Sequence, residues 1–355
     1  MHCGEREELM FSDWLRKLYR HEDLTTDEAQ ELMSLVMEGR ATEAQIGGAF
    51  VALAMKGERP EEILGFARIM RQHAVPLRRS RPDGFDTCGT GGDGSHSLNV
   101  SSLAAIVLAA CGVEVAKHGN RSVSSKCGSA DLFEALGVDI SASAETVERS
   151  LDKAGIGFLF APTFHPSMKH AAGARRDLGV RTAFNLLGPL TNPAGVKRQI
   201  VGVSRPELTD VLARVLGALG SERAWVVHGA DGVDEISTTG YTKISELNNG
   251  RVRTFYKHPL DFGIDPSKFD ELKIEDVTES VRVAKSVLSG EKGPARDFVL
   301  ANVSAGLVVT GKVGSLGDGV VAGAEAIDKG LALSALQTMA RCSQKKMGAT
   351  EELGS

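Results

Sequence analysis

Apolar positions along the chain change their period near residue 80. Before it they recur at helical spacing. Trp14, Leu15, Leu18 and Tyr19 mark one helix. Thr25-Thr26-Asp27-Glu28 is suited to open a second, with Leu32, Leu35 and Val36 along one face. A third helix, apolar and carrying Gly47-Gly48, is predicted over 41–55. A fourth starts at Pro60-Glu61-Glu62, where proline is tolerated in the first turn. Arg78-Arg79-Ser80-Arg81-Pro82 then breaks the pattern and reads as a linker. From Phe85 short apolar runs alternate with helical ones. Strands are predicted at 85–88, 113–117, 157–161, 198–203 and 224–228, and helices near 99–111, 128–136, 143–154, 166–176 and 205–219. Residues 241–276 read as short β elements and turns. Helices near 278–289, 294–310, 317–329 and 331–343 follow, and GATEELGS at 348–355 reads as frayed. The alternation implies an α/β fold, with a mostly parallel central sheet covered by helices and ligands bound at strand carboxyl ends. The expected organisation is a small all-helical domain over 1–80 and a larger α/β domain over 83–345.

Composition narrows the function class. The 355 residues are 42% hydrophobic and 25% charged, with a net charge of −5 and no long basic run, which argues against general nucleic-acid binding. Five cysteines, odd in number and without C-x-x-C spacing, read as free thiols of a reducing cytosol. The beginning MHCGEREELMF carries no secretory h-region, and no apolar run reaches the length of a membrane span. A cytoplasmic protein without membrane or nucleic-acid partners is therefore expected.

Candidate chemistry concentrates between Asp86 and Asp131, where two loops rich in glycine and hydroxyl residues flank an apolar helix and strand. Such loops let backbone N–H groups approach an anion closely. Gly89-Thr90-Gly91-Gly92-Asp93-Gly94 matches G-x-G-x-x-G, and Glu114 lies 20 residues further on. A nicotinamide-dependent dehydrogenase is thus one alternative, and a non-catalytic phosphate-ligand binding protein is another. Three features weigh against a dinucleotide. The helix is delayed to Asn99, Glu114 falls inside the next strand, and Asp93 would repel a pyrophosphate unless a cation intervenes. Asn99, Ser101 and Ser102 would cap the following helix and favour an anion there. Lys117-His118-Gly119-Asn120-Arg121 at a strand end, followed by Ser122, Ser124, Ser125 and Ser129, would hold phosphate. His165, Lys169, His170, Arg175, Arg176 and Arg181 suggest a second polar site, where an arginine fork would take a substrate carboxylate. Asp231, Asp234 and Glu235 follow a strand ending at His228, and carboxylates there suit Mg²⁺ beside substrate phosphates.

GTGGDGSHSLNVSS, KHGNRSVSSKCGSAD, HPSMKHAAGARRDLGVRTAFNLLGPLTNP and HGADGVDEIS, in this order, closely resemble the anthranilate phosphoribosyltransferase family of tryptophan biosynthesis. The resemblance covers roughly residues 12–345. It implies a helical domain hinged to an α/β domain, with a helical segment near 181–197 returning to the former. It also implies a homodimer formed through the helical domain. The implied reaction moves a 5-phosphoribosyl group from phosphoribosyl pyrophosphate to the anthranilate amine with Mg²⁺, two per site by the family pattern. By similarity Gly89, Gly92, Asp93, Ser97, Asn99, Ser101, Ser102, Lys117, Asn120, Ser125 and Ser129 bind phosphoribosyl pyrophosphate. Gly89, Asn120 and Arg175 contact anthranilate, and His118, His165, Gly188 and Pro189 line its entry path. Ser101 touches one Mg²⁺, and Asp234 and Glu235 hold the second. Ser102 stands where the family usually has Thr, with the hydroxyl kept. The intact Asp234-Glu235 pair disfavours the family branch that lacks it. No general base is assigned, because an aromatic amine is already neutral. The lysine-serine-threonine glycine motif of the related pyrimidine nucleoside phosphorylases is absent. An amidotransferase partner is left open.

Overall fold

The computed structural model describes residues 3–122 and 126–344, and side chains from Leu9 onward within them. Ser124 and Ser125, and the frayed end expected at 348–355, lie outside the described residues. The chain starts with four helices: α1 (Cys3–Tyr19), α2 (Thr26–Met37), α3 (Glu43–Lys56) and α4 (Pro60–Gln72). Their starts follow from local chemistry. Thr25 Oγ1 accepts from Glu28 N at 3.2 Å and Glu28 returns the bond to Thr25 N at 2.9 Å. Thr42 and Gln45 repeat this box at the head of α3.

The α/β part runs β1 (Phe85–Asp86), α5 (Val100–Ala110), β2 (Val115–Gly119), α6 (Ser129–Ala135), α7 (Ala144–Ala154) and β3 (Ile156–Phe160). It continues with α8 (Ala161–Phe164), α9 (Lys169–Leu178), α10 (Phe184–Leu187), β4 (Arg198–Gly202), α11 (Leu208–Ala218) and β5 (Arg223–Gly229). A hairpin of β6 (Thr242–Asn248) and β7 (Arg251–Lys257) precedes α12 (Val277–Leu288), α13 (Pro294–Thr310), α14 (Leu316–Asp328) and α15 (Leu331–Ser343).

The sheet order is β3-β2-β1-β4-β5-β6-β7. β1 to β5 are parallel, and β6 and β7 are antiparallel at one edge. Asn249 and Gly250 both have positive φ (46° and 80°), the geometry of the tight turn that an Asn-Gly pair favours. Two seven-residue strands therefore replace the short β elements expected within 241–276.

Alternating side chains divide two cores. Ile200, Trp225 and Val227 join α5, α13 and α15 on one face. Val201, Val203, Ala224 and Val226 join α11 and helices α1–α4 on the other. The second cluster also takes Ala171, Ala174, Phe184 and Leu187, so the segment around α9 and α10 packs with the first four helices. Arg71 of α4 fastens this layer: its Nε donates to Leu190 O at 2.7 Å and Nη1 to Leu219 O at 3.1 Å.

Two strands depart from the sequence pattern. β1 covers Phe85–Asp86 rather than 85–88, because the backbone leaves the sheet directly into the glycine loop. β2 covers Val115–Gly119 rather than 113–117. Gly112, at φ 79°, turns the chain after α5, and Glu114 is drawn to Arg81 at 2.8 Å. Lys117 and His118 thus sit inside the strand, opposite Phe158 and Leu159, rather than at its end as expected.

Candidate active site

The strand order reverses between β1 and β4, since β1 leads to β2 and β3 on one side and β4 lies on the other. A crevice at such a switch point is where α/β sheets bind ligands. A cavity of about 560 Å³ opens there, between the strand ends and the helical segment around α9 and α10.

The glycine loop forms its floor. Gly91, Gly92 and Gly94 have φ of 61°, 69° and 70°, a region in which side-chain-bearing residues are strained. Thr90 N donates to Gly202 O at 2.8 Å, and Gly91 N donates to Asp234 Oδ2 at 2.8 Å. Gly89 and Gly202 leave the space that the Asp234 turn occupies. Asp93 accepts from Ser95 N at 3.1 Å, and Ser95 Oγ donates to Ser97 Oγ at 3.0 Å.

Asn99 precedes α5 without capping it through its side chain, contrary to the expectation. Its amide donates instead to Cys127 O at 2.8 Å and accepts from Ser280 Oγ at 2.8 Å, which ties the two polar loops together. Ser101 hydrogen bonds to Glu235. Ser102 Oγ is buried with no partner among the described residues.

Lys117 is buried and donates to Thr87 O at 3.0 Å. Beside it Asp86, fully buried, accepts from His118 N at 3.1 Å and from Asn192 Nδ2 at 2.8 Å. Burial pushes the Asp86 carboxyl up, while Lys117 and these donors oppose the rise. Asn192 also donates to Ala116 O at 2.8 Å and accepts from Ala194 N at 2.9 Å, so one amide positions the whole crossing. Nothing in the sequence pattern singled out Asp86 or Asn192.

Arg121 does not join the phosphate cluster expected of it. It pairs with Asp131 and Glu134, both at 2.8 Å, because α6 presents two carboxylates to it. Asn120 Oδ1 accepts from Arg121 N at 2.8 Å, and Ser129 Oγ donates to Asn120 O at 3.3 Å. Glu114, the acid that a dinucleotide site needs, is consumed by Arg81.

The opposite end of the cavity differs in character. His118 Nδ1 lies 3.0 Å from Gly188 O. A carbonyl only accepts, so Nδ1 carries the hydrogen and Nε2 presents a lone pair. The ring of His165 is 5.1 Å away, and Nε2 of both rings is buried without a partner among the described residues. Burial pushes His118 down to about 3 and His165 down to about 4, so both rings are neutral. Pro189 O accepts from Gln199 Nε2 at 2.8 Å. Arg175 lies over the Phe184 ring at 5.3 Å, and its guanidinium has no carboxylate or hydrogen-bond partner among the described residues. Arg176, by contrast, is a surface residue beside Asp177. Arg181 is not with Arg175; it reaches the glycine loop, where Nη2 donates to Thr90 O at 3.4 Å.

Asp234 and Glu235 lie in the floor. Asp234 is pushed up to about 7 by burial and then by Asp93; Glu235 rises well above its ordinary value through burial and then Asp234. Asp231 is spent on its own turn, accepting from Ser237 Oγ at 2.7 Å and Thr239 Oγ1 at 2.5 Å. Among the described residues no group of three His, Cys, Asp or Glu side chains forms a ready-made metal cage. Crowded carboxylates and hydroxyls, all hard oxygen donors, nevertheless fit Mg²⁺, which takes few protein ligands and shares the rest with phosphates and water. Cys88 in the cavity wall is pushed up to about 12 by burial, and Cys88, Cys111 and Cys342 are free thiols.

Comparison with known proteins agrees with this arrangement. A family model described as "Glycosyl transferase family, helical bundle domain" matches residues 12–74, and one described as "Glycosyl transferase family, a/b domain" matches residues 81–333. The anthranilate phosphoribosyltransferase of Moorella thermoacetica is 50% identical over 330 residues, spanning 93% of this chain and 97% of that protein. That of Symbiobacterium thermophilum is 49% identical over 325 residues, 92% of this chain and 95% of that protein. The crystal structure of the Thermus thermophilus enzyme superposes with a TM-score of 0.88 at 43% identity, covering 94% of this chain and 100% of that one. The Saccharomyces cerevisiae enzyme in complex with PRPP (phosphoribosyl pyrophosphate) and Mg gives 0.85 at 28% identity, covering 95% and 98%. On these matches along nearly its whole length, the chain belongs to the anthranilate phosphoribosyltransferase family.

Proposed function

We propose that the protein transfers the 5-phosphoribosyl group of phosphoribosyl pyrophosphate to the amine of anthranilate, releasing pyrophosphate, as a step of tryptophan biosynthesis. The carrying observation is one cavity with an anion-binding glycine loop and acidic floor at one end and an uncompensated Arg175 beside Phe184 at the other. Family membership supports the same reading, as do the yeast relative's complexes with PRPP and Mg and with 4-fluoroanthranilate.

The anomeric carbon gains positive charge as the bond to pyrophosphate lengthens, so the protein has to position the amine and stabilise the leaving group. Backbone N–H groups of Gly89, Gly92 and Asp93, the hydroxyls of Ser97, Ser101, Ser102 and Ser129, Asn99, and the ammonium of Lys117 hold the donor. Ser125 belongs to this set by resemblance. Arg175 takes the acceptor carboxylate with its planar fork. Asn120 and the Gly89 backbone orient the amine, while His118, His165, Gly188 and Pro189 form its approach. The two neutral imidazoles offer lone pairs there and no positive charge, which suits an amine that attacks through its own lone pair. Ser101, Asp234 and Glu235 would hold Mg²⁺, two ions per site. Bound Mg²⁺ supplies positive charge against the negative charge growing on pyrophosphate.

A cytoplasmic homodimer completes the proposal. Tyr19 and Met55 in the first helices are 63% and 77% exposed, apolar area that a partner would cover. No helix among the described residues is long and apolar enough to cross a membrane.

Loss of anthranilate fluorescence in the purified protein tests the reaction. Loss that requires phosphoribosyl pyrophosphate and Mg²⁺ together, with pyrophosphate released, is expected. Binding of the donor without consumption of anthranilate would reject anthranilate as the acceptor.

A further inference from the structure

The residue pattern grouped Arg181 with Arg175 as a partner for an acceptor carboxylate, but the fold separates the two. Gly179, at φ 61°, ends α9 and swings the chain away from the helix axis. Thr182 N then donates to Asn185 Oδ1 at 2.9 Å, which starts the turn into α10. Arg181, between these two devices, projects over the glycine loop rather than toward Phe184. Its Nη1 occupies the space that a Cβ on Gly92 would take. Gly92 is glycine because of its positive φ, and the absence of a side chain there gives the end of Arg181 room to lie on the loop.

The surroundings of Arg181 are those of an anion ligand with its donors unspent. A guanidinium has five N–H donors in a fixed fork. The only hydrogen bond it makes among the described residues is the long one to Thr90 O at 3.4 Å. Burial of the guanidinium disfavours its charge, while Asp234 and Asp93 nearby favour it. A cation held beside the two acids of the floor stands next to the place where phosphates and metal would meet. The helical segment that carries it packs with the first four helices through Ala174, Ala183 and Phe184. Arg181 thus belongs to a different wall of the cavity from Lys117, which comes from β2.

We propose that Arg181 is a further donor-side binding residue, a ligand of the pyrophosphate group that leaves. The inference rests on the reading of the cavity as a phosphoribosyl-transfer site. Its fork can take two non-bridging oxygens of one phosphate at once, while Lys117 contributes a point charge from the sheet. Arg175 remains the acceptor's arginine, so two arginines six residues apart in the chain serve opposite substrates.

Equilibrium binding of magnesium pyrophosphate to wild type, Arg181→Ala and Arg181→Lys tests this without turnover. Arg181→Ala is expected to weaken it about tenfold or more, with the KM for phosphoribosyl pyrophosphate rising in step. The anthranilate KM should stay within about twofold, because the acceptor end keeps Arg175. Arg181→Lys should recover part of the loss, since it keeps the charge but not the fork. Because Arg181 makes only the long bond to Thr90 O among the described residues, both variants should melt close to wild type. Unchanged pyrophosphate binding in Arg181→Ala, or a loss confined to anthranilate, would overturn the assignment. Wild type that binds magnesium pyrophosphate but leaves anthranilate untouched would overturn the proposed acceptor and leave Arg181 standing.

Discussion

Replacing Asp234 by Asn isolates the charge that the cavity floor carries when no cation is bound. The Asp234 carboxyl is pushed from 3.8 to about 7, first by burial and then by Asp93. That difference corresponds to about 4 kcal/mol at 1.36 kcal/mol for each tenfold step. Water entering the open cavity screens the carboxyl, so about 1–3 kcal/mol is the expected measurable part. The sign follows from proton counting. Between pH 3.8 and about 7 the folded protein holds this proton and the unfolded chain does not. Stability from this group is therefore greatest at low pH and is lost as pH rises through that window. Without divalent cation, Asp234→Asn should exceed wild type in stability by about 1–3 kcal/mol near pH 8, and the two should converge near pH 4. Mg²⁺ should reverse the order near pH 8, because binding to the folded state alone adds stability and wild type has the ligand that the variant lacks. Urea unfolding across this pH range, with chelator and with Mg²⁺, reads both effects. A stability difference between variant and wild type that does not change with pH would refute the account of Asp234. An undiminished Mg²⁺ gain in the variant would remove Asp234 as a ligand.

Three further outcomes follow from the geometry. Arg175→Ala should raise the anthranilate KM about 10- to 100-fold and leave donor binding nearly unchanged, since a charge-assisted bidentate pair is lost; an unchanged anthranilate KM would remove the carboxylate role. Asn192→Ala leaves Asp86 Oδ2, Ala116 O and Ala194 N short of a partner and should cost about 2–4 kcal/mol of stability. A loss under about 0.5 kcal/mol in urea unfolding would mean that this crossing is not held by its amide. His118 and His165, held down to about 3 and about 4, should show neutral imidazole ¹⁵N shifts near pH 5. The stability they contribute is full above pH 6.5 and is lost as pH falls toward those values. An imidazolium signature near pH 5 would contradict their burial.

Much of the fold was legible because its signals are local. Thr25 and Glu28 announce a helix start within four residues of chain, and the cap forms as its sequence implies. The parallel strands show as apolar runs between helices because both faces of the sheet are covered. The β6–β7 hairpin also carries a local sign, Asn249-Gly250, although its strands run longer than the short elements expected there. Strand ends were less legible. β2 starts two residues later than the apolar run suggests, after the turn at Gly112, and Glu114 before it pairs with Arg81, 33 residues away in the chain.

The sequence by itself determined the alternation that makes an α/β fold, the glycine loop that can approach an anion, and the Asp234-Glu235 pair. Each is written in neighbouring residues, whose backbone preferences and spacing are intrinsic to the chain. Only the tertiary structure decided which charges are free to act. Arg121 looked available and is spent on Asp131 and Glu134, whereas Arg175 is left without a carboxylate among the described residues. Arg181 looked like a companion of Arg175 and lies instead on Gly92, across the cavity floor. Asp86 and Asn192 were given no role of their own, yet they hold the Lys117–His118 strand in place. The physical reason is common to all four cases. A side chain's charge is an attribute of its residue, but its partner and its desolvation are supplied by segments distant in the chain, and those exist only once the sheet and its helices have packed.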